Sequence, residues 1–145
     1  MFCGCYLRKG VVYIPTLGKI AGGGGHLGIE PVAAVAVTDT EMLRSAFHDT
    51  FTRGNPTVPA PRPRTRADYP KSVLLKYAGV QTDSAFVRGA SVWWLNEDQG
   101  LYKIRGLRKG PHGGFVLDRD REIKFPAGTS VETVIDRMIA ILQSV

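Results

Sequence analysis

The chain has 145 residues, 43% of them hydrophobic and 22% charged, and a net charge of +6. That is the length of one domain able to bury a core without metals or disulfides, and the balance is that of a globular rather than a disordered protein. Length excludes a two-domain enzyme, and no run approaches the roughly 18 to 20 apolar residues of a membrane span.

The opening MFCGCYLRKG lacks the apolar stretch of a signal peptide, and Arg8 and Lys9 follow its apolar residues instead of preceding them. Residues 1–10 therefore read as a loosely ordered tail of a cytoplasmic protein. Cys3 and Cys5, the only cysteines, have no His or further Cys at zinc-site spacing and read as incidental reduced thiols.

VVYIPTL (11–17) is β-branched and aromatic, a strand in which Pro15 marks an edge or a bulge. EPVAAVAV (30–37) reads as a second strand, because Pro31 and its valines disfavour a helix. The two make a hairpin. Between them lies AGGGGHLG (21–28), in which Gly23, Gly25 and Gly28 satisfy G-x-G-x-x-G. A phosphate loop needs a helix N-terminus directly behind its glycines. Here IEPVAAVAV follows, and the acidic residue expected about 20 positions on is replaced by a predicted helix containing Asp49. GKI at 18–20 lacks the hydroxyl of a Walker loop. The glycines are the tip of a hairpin.

Thr38 and Glu41 have the spacing of a capping box, Leu43, Ala46, Phe47 and Phe51 form an apolar stripe, and Gly54 ends the helix. Residues 55–70, NPTVPAPRPRTRADYP, are an extended loop rich in proline and arginine. SVLLKY (72–77) is predicted to be a strand, and SAFVRG a helical turn opened by Ser84. SVWWL, LYKIRGLRKG, FVLD and EIKF then read as an antiparallel meander. A last helix opens with Thr129 and Glu132 as a capping box and places Val131, Val134, Ile135, Met138, Ile139 and Leu142 on one face. The predicted fold is a single α+β domain: an antiparallel or mixed sheet of five to seven strands, with two amphipathic helices on one face.

The candidate chemistry is that of binding. His26, His48 and His112 have no nucleophile signature beside them, and Asp118, Asp120 and Glu122 alternate with Arg119 and Arg121 as on a solvated hairpin tip. No cofactor or metal is called for. Positive charge is concentrated in two segments: 62–76, with five cations against Asp68, and 101–110, with Lys103, Arg105, Arg108 and Lys109 and no acid. In a strand, Lys103, Arg105 and Lys109 share one face and Tyr102 and Ile104 the other, while Trp93 and Trp94 point to opposite faces. Arg62, Arg64 and Arg66 sit on the proline-stiffened loop. These residues fit a small non-enzymatic protein that binds another protein, such as a bacterial regulatory module or a toxin-neutralising immunity protein whose basic charge suits an acidic partner. The alternative is RNA or single-stranded DNA, with the cations on phosphates and Trp93, Trp94 or Tyr102 stacking on bases. A small enzyme whose site is assembled only in three dimensions is the third class, and no membrane partner is expected.

Overall fold

The computed structural model describes residues 1–62 and 71–145; residues 63–70, with Arg64 and Arg66 of the predicted binding loop, lie outside the described residues. In chain order the elements are β1 (Phe2–Arg8), β2 (Val11–Ile20), β3 (His26–Ala36), α1 (Thr40–Arg53), β4 (Thr57–Val58), α2 (Leu74–Ala78), α3 (Asp83–Val87), β5 (Ala90–Asp98), β6 (Leu101–Lys109), β7 (Phe115–Lys124) and α4 (Val131–Ser144). The sheet runs β3-β2-β1-β5-β6-β7, with antiparallel neighbours, and β4 adds a short parallel pairing to the end of β2. The predicted α+β class, the hairpin of β2 and β3, and the C-terminal meander are all present.

Strand alternation divides the apolar residues between two faces. Cys3, Cys5 and Leu7 of β1, Val12 and Ile14 of β2, Trp93 and Leu95 of β5, and Ile104 of β6 point to one side, where Leu43 and Phe47 of α1 and five residues of α4 (Val134, Ile135, Met138, Ile139 and Leu142) close over them. Both long helices cover this one face, as the stripes predict. Phe47 and Ile135 are fully buried, which makes each worth about 1.5–3 kcal/mol of transfer free energy. Arg44 and His48 of α1 meet Asp136 and Glu132 of α4 at 2.9 Å each, tying the helices together at the surface.

The N-terminal residues depart most from expectation. Residues 2–8 are no tail: β1 is a central strand, paired with β2 on one side and with β5 along its whole length on the other. Cys3 and Cys5 are 1% exposed. Burial pushes the Cys3 thiol up to about 12, and Cys5 is raised by burial and then by Cys3, so both are protonated core groups without the thiolate that reactivity requires. Past Tyr6 and Tyr13 the ladder between β1 and β2 ends, and Asn55 fills the gap: its Oδ1 accepts from Phe2 N at 2.7 Å, and its Nδ2 donates to the carbonyls of Phe2 and Leu17 at 2.7 and 2.8 Å.

SVLLKY is not a strand. Leu74–Ala78 form a helical turn that ends at Gly79 in the left-handed region, with Ser72 Oγ accepting from Leu74 N. Here tertiary burial overrides local preference: Leu74 and Leu75 pack with Phe86 of α3 on Tyr13, on the sheet face opposite the long helices. Lys76 and Tyr77 both bond Glu30 of β3, fastening the turn to the sheet. Helix caps fall one or two residues from the predicted positions. Asp39, not Thr38, caps α1; Ser130, not Thr129, caps α4; Thr82, not Ser84, caps α3. Pro15 does mark a bulge, at the shift of register between Pro15 and Thr16. FVLD and EIKF are one strand: Leu117 pairs with Leu107 and Glu122 with Arg105, so Asp118–Arg121 form a bulge within β7 and not a hairpin tip.

Candidate functional site

The two small helices α2 and α3 cover the second sheet face over β1, β2 and β3 and reach the start of β5. Val92 and Leu107 are buried at that end of the same face; toward the other end of β5, β6 and β7 the face opens, and pairing register places side chains on it in rows. One row runs Phe2, Asn96, Lys103, Lys124; the next runs Gly4, Trp94, Arg105, Glu122. Adjacent members of a row have Cβ atoms roughly 4.5–5.5 Å apart.

Charges on this surface are unevenly compensated. Glu122 accepts from Arg105 Nε at 2.9 Å and lies 3.4 Å from Lys124 Nζ. Partial burial works against its charge, but the hydrogen bonds from Arg105 and Lys124 and the field of Arg105 and Lys103 win, holding its carboxyl below the ordinary range. Lys103 and Lys124 face each other directly across the ladder. Asn96, next in that row, has a side-chain oxygen shielded from solvent with no hydrogen-bond partner. A groove of about 440 Å³ runs between Asn96, Lys103, Arg105 and Lys124, with Asp98 and the half-exposed Leu101 at its end.

Beside the groove is an aromatic cluster. The Trp94 ring meets Phe2 edge-on at 5.2 Å, and His26 lies on the other side of Phe2 at 4.8 Å. Burial and then the charge of Lys19 lower the pKa of His26, which favours the neutral ring. The three rings line a small cleft of about 180 Å³ with Pro15, Leu17 and Leu74. The hairpin tip at 21–25 carries its positive φ at Gly22, Gly23 and Gly25, conformations open to glycine at no steric cost, and Gly28 already pairs within β3. No helix N-terminus stands behind these glycines, as the sequence implies.

The proposed binding residues are only partly gathered. Trp94, Lys103 and Arg105 share the open face. Trp93 points into the core; Tyr102 packs partly buried against the same core and also borders the groove. Arg108 is exposed on the opposite side of β6 from Lys103, and Lys109 donates to the Arg88 carbonyl at 3.3 Å. Arg62 is exposed.

Phe2, Asn96, Glu122 and Lys124 complete the surface and were not singled out from sequence as binding residues. The alternation of EIKF carries the signal for Glu122 and Lys124; nothing local marks Phe2 or Asn96. Sequence reading also missed what fixes Trp93: Arg121, projected from the β7 bulge, sits 4.1 Å over the indole and donates to the Leu107 carbonyl at 3.2 Å. Both pass over Gly106, where a Cβ would stand 2.8 Å from each.

His48 pairs with Glu132 on the helical side, far in sequence and on the other sheet face from the groove. Among the described residues, no three His, Cys, Asp or Glu side chains converge as metal ligands, and no helix is long and apolar enough to cross a membrane.

No protein-family model matches the sequence, and no curated protein sequence matches it either. A solved structure shares the fold: a protein of unknown function, NMB0488, from Neisseria meningitidis, with a TM-score of 0.66 over 99% of this chain and 93% of that one, at 13% identity. That likeness extends the architecture to a second protein and is silent on activity.

Proposed function

We propose that the chain is a non-enzymatic cytoplasmic protein that works by binding another protein, as a regulatory or toxin-neutralising immunity-type module, through the open face of β5, β6 and β7. The observation that carries this is the half-covered second face: α2 and α3 bury it over the N-terminal strands and leave Trp94, Lys103 and Arg105 in a continuous surface. An aromatic ring bordered by arginine and lysine is the composition of a protein interface anchor and its rim. Mixed charge favours a protein over a nucleic acid, because Glu122 and Asp98 stand among the cations and would repel a continuous phosphate backbone.

Trp94 directly beside Arg105 supports one further reading, a ring that stacks on bases of single-stranded RNA. A common experiment separates the two. The full chain and its Lys103→Glu/Arg105→Glu variant are used as baits on a cell extract, and both are titrated into a labelled random RNA of about 20 nucleotides at about 50 and about 200 mM salt. A protein binder retains a partner on the wild type that the variant loses, with weak RNA binding. RNA binding that is saturable and at least about tenfold weaker at the higher salt, with no protein retained, contradicts it.

A further inference from the structure

Lys103 and Lys124 are direct register partners, and like charges directly opposite each other on a sheet are destabilising. The nearest acid, Glu122, contacts Lys124 but is also held by Arg105, and no ion pair involves Lys103 among the described residues. An anion set between the two ammonium groups would remove the repulsion and complete both lysines.

The neighbouring groups narrow the nature of that anion. The Asn96 side-chain oxygen is shielded from solvent, so the occupant is selected by charge and not by a contact to that atom. A single carboxylate puts one negative charge between the lysines, whereas a phosphodiester chain carries its charges on past Asp98 and Glu122. Asp98 at one end and Glu122 on the flank restrict the anionic part to a short stretch. The half-exposed Leu101 at the end of the groove offers an apolar contact to the residue beside it.

We propose that the groove between Asn96, Lys103, Arg105 and Lys124 is the seat for an acidic loop of the partner protein, one Asp or Glu carboxylate lying between Lys103 and Lys124. This rests on the protein-binding function proposed above and names the partner's chemistry. The carboxylate gains two charge-assisted hydrogen bonds, the stronger class of such contacts.

The test uses the full chain and a synthetic acidic peptide of about ten residues with alternating Asp and Gly, titrated by calorimetry at low salt beside a Lys-for-Asp control peptide and the random RNA. The acidic peptide is expected to bind and the control not to. Lys103→Gln and Lys124→Gln should each weaken binding by about tenfold, the scale of one charge-assisted contact. Lys103→Gln, which gives up no ion pair, should melt at or above the wild-type temperature, since the repulsion has been removed; Lys124→Gln also loses its contact with Glu122 and is read by binding alone. A purely structural Lys103 would give the opposite pair of results, and either reversal overturns the proposal. Peptide binding unaffected by the two variants, in a chain that still captures its partner, overturns the groove and leaves the protein-binding function standing. Stronger binding to RNA than to the acidic peptide overturns both.

Discussion

The N-terminal strands β1 to β3 and the C-terminal meander β5 to β7 belong to one sheet but are finished differently. Over the first, α1 and α4 cover one face, α2 and α3 the other, and side chains as small as Cys3 and as large as Tyr13 are buried. Over the second, the α4 side is covered, and the opposite face, with Val92 and Leu107 buried at one end, carries Trp94, Asn96, Lys103, Arg105, Glu122 and Lys124 toward the other. A sheet buried on both faces is scaffold, where every substitution registers in stability. A sheet open on one face has side chains whose absence from the core leaves them free to be selected for contact.

The sharpest break of this contrast is removal of residues 1–8. It takes out a strand paired on both sides, with Cys3, Cys5 and Leu7 in the core, and should abolish cooperative unfolding in a urea titration followed by far-UV circular dichroism. A sigmoidal transition with an unchanged midpoint would restore the sequence-based picture of a tail. Next in size, Phe47→Ala or Ile135→Ala empties a fully buried site and should cost roughly 2–5 kcal/mol in the same titration; less than about 0.5 kcal/mol would mean the helices do not pack as described. Gly106→Ala sets a methyl 2.8 Å from Trp93 and Arg121. Overpacking of this kind costs about 1–3 kcal/mol, and the loss should appear as a change in Trp93 fluorescence together with a lowered midpoint.

The smallest effect lies on the open face. Glu122 has its folded pKa lowered, so the stability it contributes is present above the ordinary carboxylate range and is lost as pH falls through the folded value. Glu122→Gln should therefore flatten the acid side of the stability profile slightly and leave neutral behaviour close to wild type, as for exposed ion pairs generally. A steeper acid limb in the variant would reverse the sign assigned to this group.

The two long helices and their buried faces were legible in sequence because a 3.6-residue apolar stripe over fourteen residues leaves little choice. Strand alternation likewise assigned Lys103 and Arg105 to one face and Ile104 to the other, which the structure buries. What was hidden is non-local. FCGCYLR looks like a terminus until β5 arrives to pair with it some ninety residues later, and LLKY has strand composition but is buried as a helical turn on Tyr13. Asn55, in sequence only the first residue of the proline-rich loop, bridges two diverging strands. The candidate site suffered in the same way: Lys103 and Arg105 could be read from one strand, but Phe2, Asn96 and Lys124 join them only through register, and Trp93 leaves by packing inward.

The most direct test of the division between scaffold and open face is an NMR titration of the isotope-labelled full chain with the acidic peptide, following every assigned backbone amide. Shifts concentrated at Trp94–Asn96, Lys103–Arg105 and Glu122–Lys124, with β2 and β3 unmoved, are the predicted result. Shifts centred on β2 and β3, or on the surface between β3 and α1, would contradict it.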